Sequence, residues 1–90
     1  MQPKPKILIV DDEAGPRESL KIILKPEFEV VTVSRGSDAL EMLRDGSFEV
    51  VLLDLTMPED LSGTETLQSI RDANIDVEAI VISGQGAADP

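Results

Sequence analysis

Three aspartates stand where apolar runs end. Asp11 and Asp12 follow the run Ile7-Leu8-Ile9-Val10, and Asp54 follows the run that closes with Val50-Val51-Leu52-Leu53. A fourth run, Ala79-Ile80-Val81-Ile82, leads into Ser83-Gly84. Two carboxylates about 4 Å apart repel by roughly 4 kcal/mol at an effective dielectric near 20. If these acids converge, they must either take up a proton or bind a cation. Only oxygen donors are on offer, so the cation should be hard. Magnesium suits the set because it accepts few carboxylates and keeps several waters. Each residue also has a plainer role open to it. An aspartate between a strand and a helix often caps the helix or faces its dipole, and a serine before glycine is a common turn residue. The joint placement favours chemistry, because it puts all the polar groups at strand ends.

The elements that would bring them there follow from the patterning. The run 7–10 is continuous and β-branched, as in a strand buried on both faces. Gly15-Pro16 opens a helix with apolar spacing at Leu20, Ile23 and Leu24, and Pro26 stops it. Residues 28–33 form a second strand whose Glu29 and Thr32 suit a sheet edge. Ala39, Leu40 and Leu43 mark a second helix closed by Asp45-Gly46. A third strand runs over 48–53 and a loop over 57–63. Leu67 and Ile70 mark a third helix ending near Ala73-Asn74. The fourth strand spans 77–82, and 83–90 is loop-like. The order β1-α1-β2-α2-β3-α3-β4 predicts an α/β fold, a doubly wound parallel sheet with helices on both faces. In such sheets ligands bind beyond the C-terminal strand ends, which is where Asp11, Asp12, Asp54 and Ser83 fall.

Composition narrows the function. Ninety residues make one small domain, 1–90, with a marginal core. The formal charge of −10 disfavours direct binding to nucleic acid or to an anionic membrane and suits cations or basic partners. With no cysteine or histidine there is no disulfide, thiolate site or histidine-based catalysis. No apolar run is long enough to span a membrane, and no signal-type segment opens the chain, so a cytoplasmic location is the default expectation. After the first strand there is neither G-x-G-x-x-G nor G-x-x-x-x-G-K, which disfavours a dinucleotide or ATP enzyme.

Three segments resemble one family. Ile7 through Glu13 resembles the first strand and acidic pair of bacterial response-regulator receiver domains. Val50 through Pro58, followed by Gly63, resembles the phospho-acceptor strand and loop; Ala79 through Gly84 resembles the fourth strand with its hydroxyl residue. The resemblance implies a flavodoxin-like (CheY-like) fold with sheet order 2-1-3-4. It further implies roles. Asp54 would accept a phosphoryl group from a sensor histidine kinase or phosphotransfer protein. Mg2+ would be held by Asp12 directly, by Asp11 mainly through water, by Asp54 and by the Thr56 backbone carbonyl. Ser83 would hydrogen-bond a phosphoryl oxygen. Such a module is a phosphorelay component and not an enzyme.

The chain departs from the family in two places. Four residues, Glu59 to Ser62, separate Pro58 from Gly63, one more than usual. The sequence also stops where a complete receiver would add a helix, a fifth strand and a last helix. The fifth strand's lysine and aromatic residue have no counterpart, and none of the 8 basic residues stands at a matching position. The expectation is a receiver fragment whose fourth strand exposes Val77, Ile80 and Val81 as an apolar edge. Such a chain should be unstable, aggregate, or hide the edge by dimerising or swapping. Two other functions stay open: a receiver-like interaction domain that is not phosphorylated, and a magnesium-dependent phosphatase. The latter lacks its Asp-x-Asp motif, since Asp54-Leu55-Thr56 has threonine in the second acidic place.

Overall fold

Four apolar runs become four parallel strands, and the intervening amphipathic segments become three helices. The computed structural model describes residues 3–54 and 63–82. Its elements are β1 (Lys6–Val10), α1 (Ala14–Leu24), β2 (Glu29–Val33), α2 (Gly36–Leu43), β3 (Val50–Asp54), α3 (Gly63–Asp72) and β4 (Glu78–Ile82). The sheet order is β2-β1-β3-β4, with every pair parallel, as the patterning and the resemblance predict. β2 is an edge strand, as its Glu29 and Thr32 suggest.

Alternation along the strands builds two cores. Leu8 and Val10 of β1 join Val51 and Leu53 of β3 on one face, where Ala39 and Leu43 of α2, Phe48 and Ile70 of α3 cover them. Ile7, Ile9 and Leu52 form the other face, under Leu20 and Leu24 of α1. β1 lies between β2 and β3, and its last four residues are buried. Each such side chain contributes about 1.5–3 kcal/mol relative to exposure.

Several boundaries differ from the sequence reading. Phe48 is buried but precedes β3, and Asp54 belongs to that strand. Ile23, expected on the inner stripe of α1, is 68% exposed, as is its neighbour Ile22 at 71%. Pro26 limits α1 to eleven residues, and its inner face seats only Leu20 and Leu24 on the sheet. Val77, expected at the exposed edge, instead packs half-buried against the core. Ile80, Val81 and Ile82 are the exposed apolar residues of β4, which has no further strand beside it among the described residues.

Local signals end the helices. Asn74 takes a positive φ of 56° after α3. Its N–H donates to the Arg71 carbonyl at 3.1 Å, and the Ile75 N–H donates to the Ile70 carbonyl at 3.1 Å. These paired bonds satisfy the last carbonyls of the helix. Gly46, with φ 77°, ends the turn after α2. At the N-terminal end of the sheet, Lys6 Nζ donates to Ser47 Oγ at 3.1 Å and lies 4.9 Å from the Phe48 ring centre.

Candidate metal centre

Register places the acids together. Val10 of β1 pairs with Leu53 of β3, so one step further along both strands sets Asp11 beside Asp54. The chain leaves β1 toward β2 on one side, while β3 lies on the other. That reversal opens a crevice at the strand ends where an open α/β sheet receives ligands. Carboxylate oxygens of Asp11, Asp12 and Asp54 lie within 4.8 Å of one another. Asp54 is 6% exposed, Asp11 half-buried and Asp12 exposed. The sequence expectation that these three converge is met.

The turn after β1 is tied down by backbone and side chains. The Asp11 N–H donates to the Val33 carbonyl at 3.2 Å, carrying the β1–β2 ladder one residue past the strand. Asp11 Oδ1 accepts the Glu13 N–H at 2.9 Å. The Asp11 carbonyl accepts Arg17 Nη1 at 2.9 Å. Neither Asp11 nor Asp12 caps α1. Its N-cap is Glu13, and that side chain makes no capping hydrogen bond. The capping alternative for these two aspartates is therefore not what the structure shows. They still stand just ahead of the helix N-terminus, whose partial positive charge favours anions.

Burial pushes the Asp11 carboxyl above its ordinary 3.8. The Glu13 N–H pulls the other way, while the Asp54 charge, a side-chain hydrogen bond with Asp54 and the Asp12 charge all add to the rise. These are the effects of burial and of carboxylates crowded together. A hard divalent cation fits this set: three carboxylate donors, one of them exposed, in a sequence with no histidine or cysteine.

Thr56 and Ser83, the other expected site residues, lie outside the described residues, as do Met57, Pro58 and Gly84. Arg17 is the residue that the sequence reading did not credit. Its only signal was spacing, since a side chain in the second turn of α1 can reach back to the loop before its own helix.

The chain matches the response regulator receiver domain family over residues 7–89 and belongs to it. Among curated proteins it is similar to the cell cycle transcriptional regulator CtrA of Caulobacter vibrioides, with 28% identity over 85 residues. That alignment covers 93% of this chain and 36% of CtrA, so the chain spans about a third of that relative's length. Among solved structures it is similar to the response regulator TrrA of Thermotoga maritima, crystallised in complex with Mg2+ and BeF. The TM-score is 0.82 at 36% identity, covering 91% of this chain and 71% of TrrA. The signal receiver domain of a Luxo repressor protein from Vibrio parahaemolyticus gives a TM-score of 0.83 at 26% identity, covering 96% of this chain and 66% of that one. No helix among the described residues is long and apolar enough to cross a membrane.

Proposed function

We propose that the chain is a single receiver domain that accepts a phosphoryl group on Asp54 from a sensor histidine kinase or phosphotransfer protein, in a Mg2+-dependent step. The observation that carries this reading is the meeting of Asp11, Asp12 and Asp54 at the ends of β1 and β3. TrrA, 36% identical, holds Mg2+ and BeF, and a beryllium fluoride group resembles a phosphoryl group in shape and charge.

Asp12 would hold the ion directly and Asp11 mainly through water, with Asp54 and the Thr56 carbonyl completing the protein's donors. Bound there, Mg2+ neutralises charge that builds on the phosphoryl oxygens. An Asp54 carboxylate oxygen attacks phosphorus in line with the phosphohistidine nitrogen. The new O–P bond forms as the N–P bond breaks, and the imidazole leaves with the electron pair. Ser83 donates its hydroxyl to a phosphoryl oxygen of the product. The sheet contributes positioning: Asp54 is buried on a central strand, so its carboxylate is aimed and not searching.

The test is incubation with Mg2+ and a small phosphodonor such as acetyl phosphate, followed by intact-mass measurement and repeated with Asp54→Asn. A base-labile gain of one phosphoryl group, lost in the variant, is expected. A folded, magnesium-binding sample that takes no label would overturn the acceptor role and point to an interaction domain. Sustained phosphate release from varied esters would point to a phosphatase.

A further inference from the structure

Resting on the metal site just proposed, we infer that Arg17 is a positioning residue for that site, acting through the peptide that joins Asp11 to Asp12. The residues around it on α1 are mostly exposed, including Ala14, Gly15, Pro16, Glu18 and Ser19, whereas Arg17 is half-buried. It turns inward into the cleft between α1, the end of β2 and α2, beside Val33 and Met42. From there Nη1 reaches the Asp11 carbonyl at 2.9 Å.

The choice of acceptor is informative. A guanidinium so close to three carboxylates would ordinarily pair with one of them. Arg17 makes no ion pair among the described residues. Its donor goes to a backbone carbonyl and so does not compete with a cation for the carboxylates. The bond also completes a set of three on one residue: the Asp11 N–H is held by Val33, its Oδ1 by Glu13 and its carbonyl by Arg17. With both the amide and the carbonyl of Asp11 fixed, the plane of the Asp11–Asp12 peptide is fixed too. That plane sets where the Asp12 side chain starts. Asp12 is exposed and makes no hydrogen bond of its own among the described residues, so its backbone is its main constraint. Partners that orient metal ligands typically alter affinity by about 10- to 100-fold when removed. A backbone-mediated partner of an exposed ligand belongs at the low end of that range.

The test is a Mg2+ titration of the full chain, followed by the NMR amide shifts of Asp12, Glu13 and Asp54, for wild type, Arg17→Met and Arg17→Lys. Thermal unfolding in EDTA is measured in parallel. Arg17→Met should raise the Mg2+ Kd about tenfold with little change in the melting temperature. Arg17→Lys keeps one charged donor and should recover part of the affinity. Equal Kd values for wild type and Arg17→Met would overturn the inference while leaving the metal site standing. A loss of affinity that tracks loss of folding, without recovery in Arg17→Lys, would reduce Arg17 to a structural role and overturn it as well. Should Arg17→Met fail to fold, Arg17→Lys must still bind measurably weaker than wild type, and equality overturns the proposal. If wild type itself binds no Mg2+, the metal site fails, and this inference fails with it.

Discussion

Replacing Asp54 with asparagine should stabilise the protein when no divalent cation is present. Asparagine keeps the shape of the side chain and removes its charge. At the outer separation of 4.8 Å, a pair of unit charges repels by about 3.5 kcal/mol at an effective dielectric of 20 and by about 0.9 kcal/mol in water. Asp54 takes part in two such pairs. Its pair with Asp12 lies near the water limit, because Asp12 is exposed. Its pair with half-buried Asp11 lies between the limits. The relief is then about 1.5–3 kcal/mol after screening. With a urea slope near 1 kcal/mol per molar, the midpoint in EDTA should rise by about 1.5–3 M.

Adding Mg2+ should reverse the comparison. Only the wild type offers all three carboxylates, and an ion at about one hundred times its Kd stabilises the folded state by about 2.7 kcal/mol. The advantage of Asp54→Asn should therefore shrink or vanish. Urea unfolding followed by far-ultraviolet circular dichroism measures both arms, since the chain has no tryptophan. A midpoint for Asp54→Asn at or below wild type in EDTA would refute the electrostatic reasoning. So would a gap that Mg2+ leaves unchanged.

Three other outcomes are expected. Because the Asp11 carboxyl sits above its ordinary 3.8, its contribution to stability is fully present below pH 3.8 and is lost as pH rises through the folded value. Asp11→Asn should accordingly be more stable than metal-free wild type at neutral pH, with the urea midpoints converging at low pH. Leu8 is fully buried on the central strand, so Leu8→Ala should cost about 3–5 kcal/mol, a large share of a small domain's stability, read as the fall in the urea midpoint. Ile80 is 48% exposed on β4; Ile80→Lys should suppress concentration-dependent association in sedimentation velocity, and a wild type that stays monomeric would remove the basis for expecting it.

The order of elements was legible because strands buried on both faces leave continuous apolar runs, and the sheet order followed from the family resemblance. Asp11, Asp12 and Asp54 were legible for a related reason: they are the charges that immediately follow such runs. Register then does what local pattern cannot, since Val10 opposite Leu53 is a pairing between residues far apart in the chain. Ile23 misled because apolar spacing says which residues could face inward, and not how wide the seat beneath a short helix is. Arg17 was invisible because its role lies in a single tertiary hydrogen bond to a backbone carbonyl. Charge and spacing carry no mark of such a bond.

The site divides its demands between rigid and mobile parts. Asp54 ends β3 and Asp11 follows β1 directly, its N–H continuing the ladder to Val33, so the backbones that carry this pair are held by the sheet. Asp12 lies beyond the strand, exposed, and can move away when no cation is bound. The unfavourable charge is thus concentrated on the pair that must stay in place, and the adjustable ligand is the one that closes on the ion. On this arrangement cation affinity and fold stability are coupled. The repulsion held between Asp11 and Asp54 in the metal-free state is released on binding, so a change that relaxes it, such as Asp54→Asn, must raise metal-free stability and lower cation affinity together. A change at Arg17 should separate the two quantities, because it touches the direction of Asp12 and leaves the held pair alone.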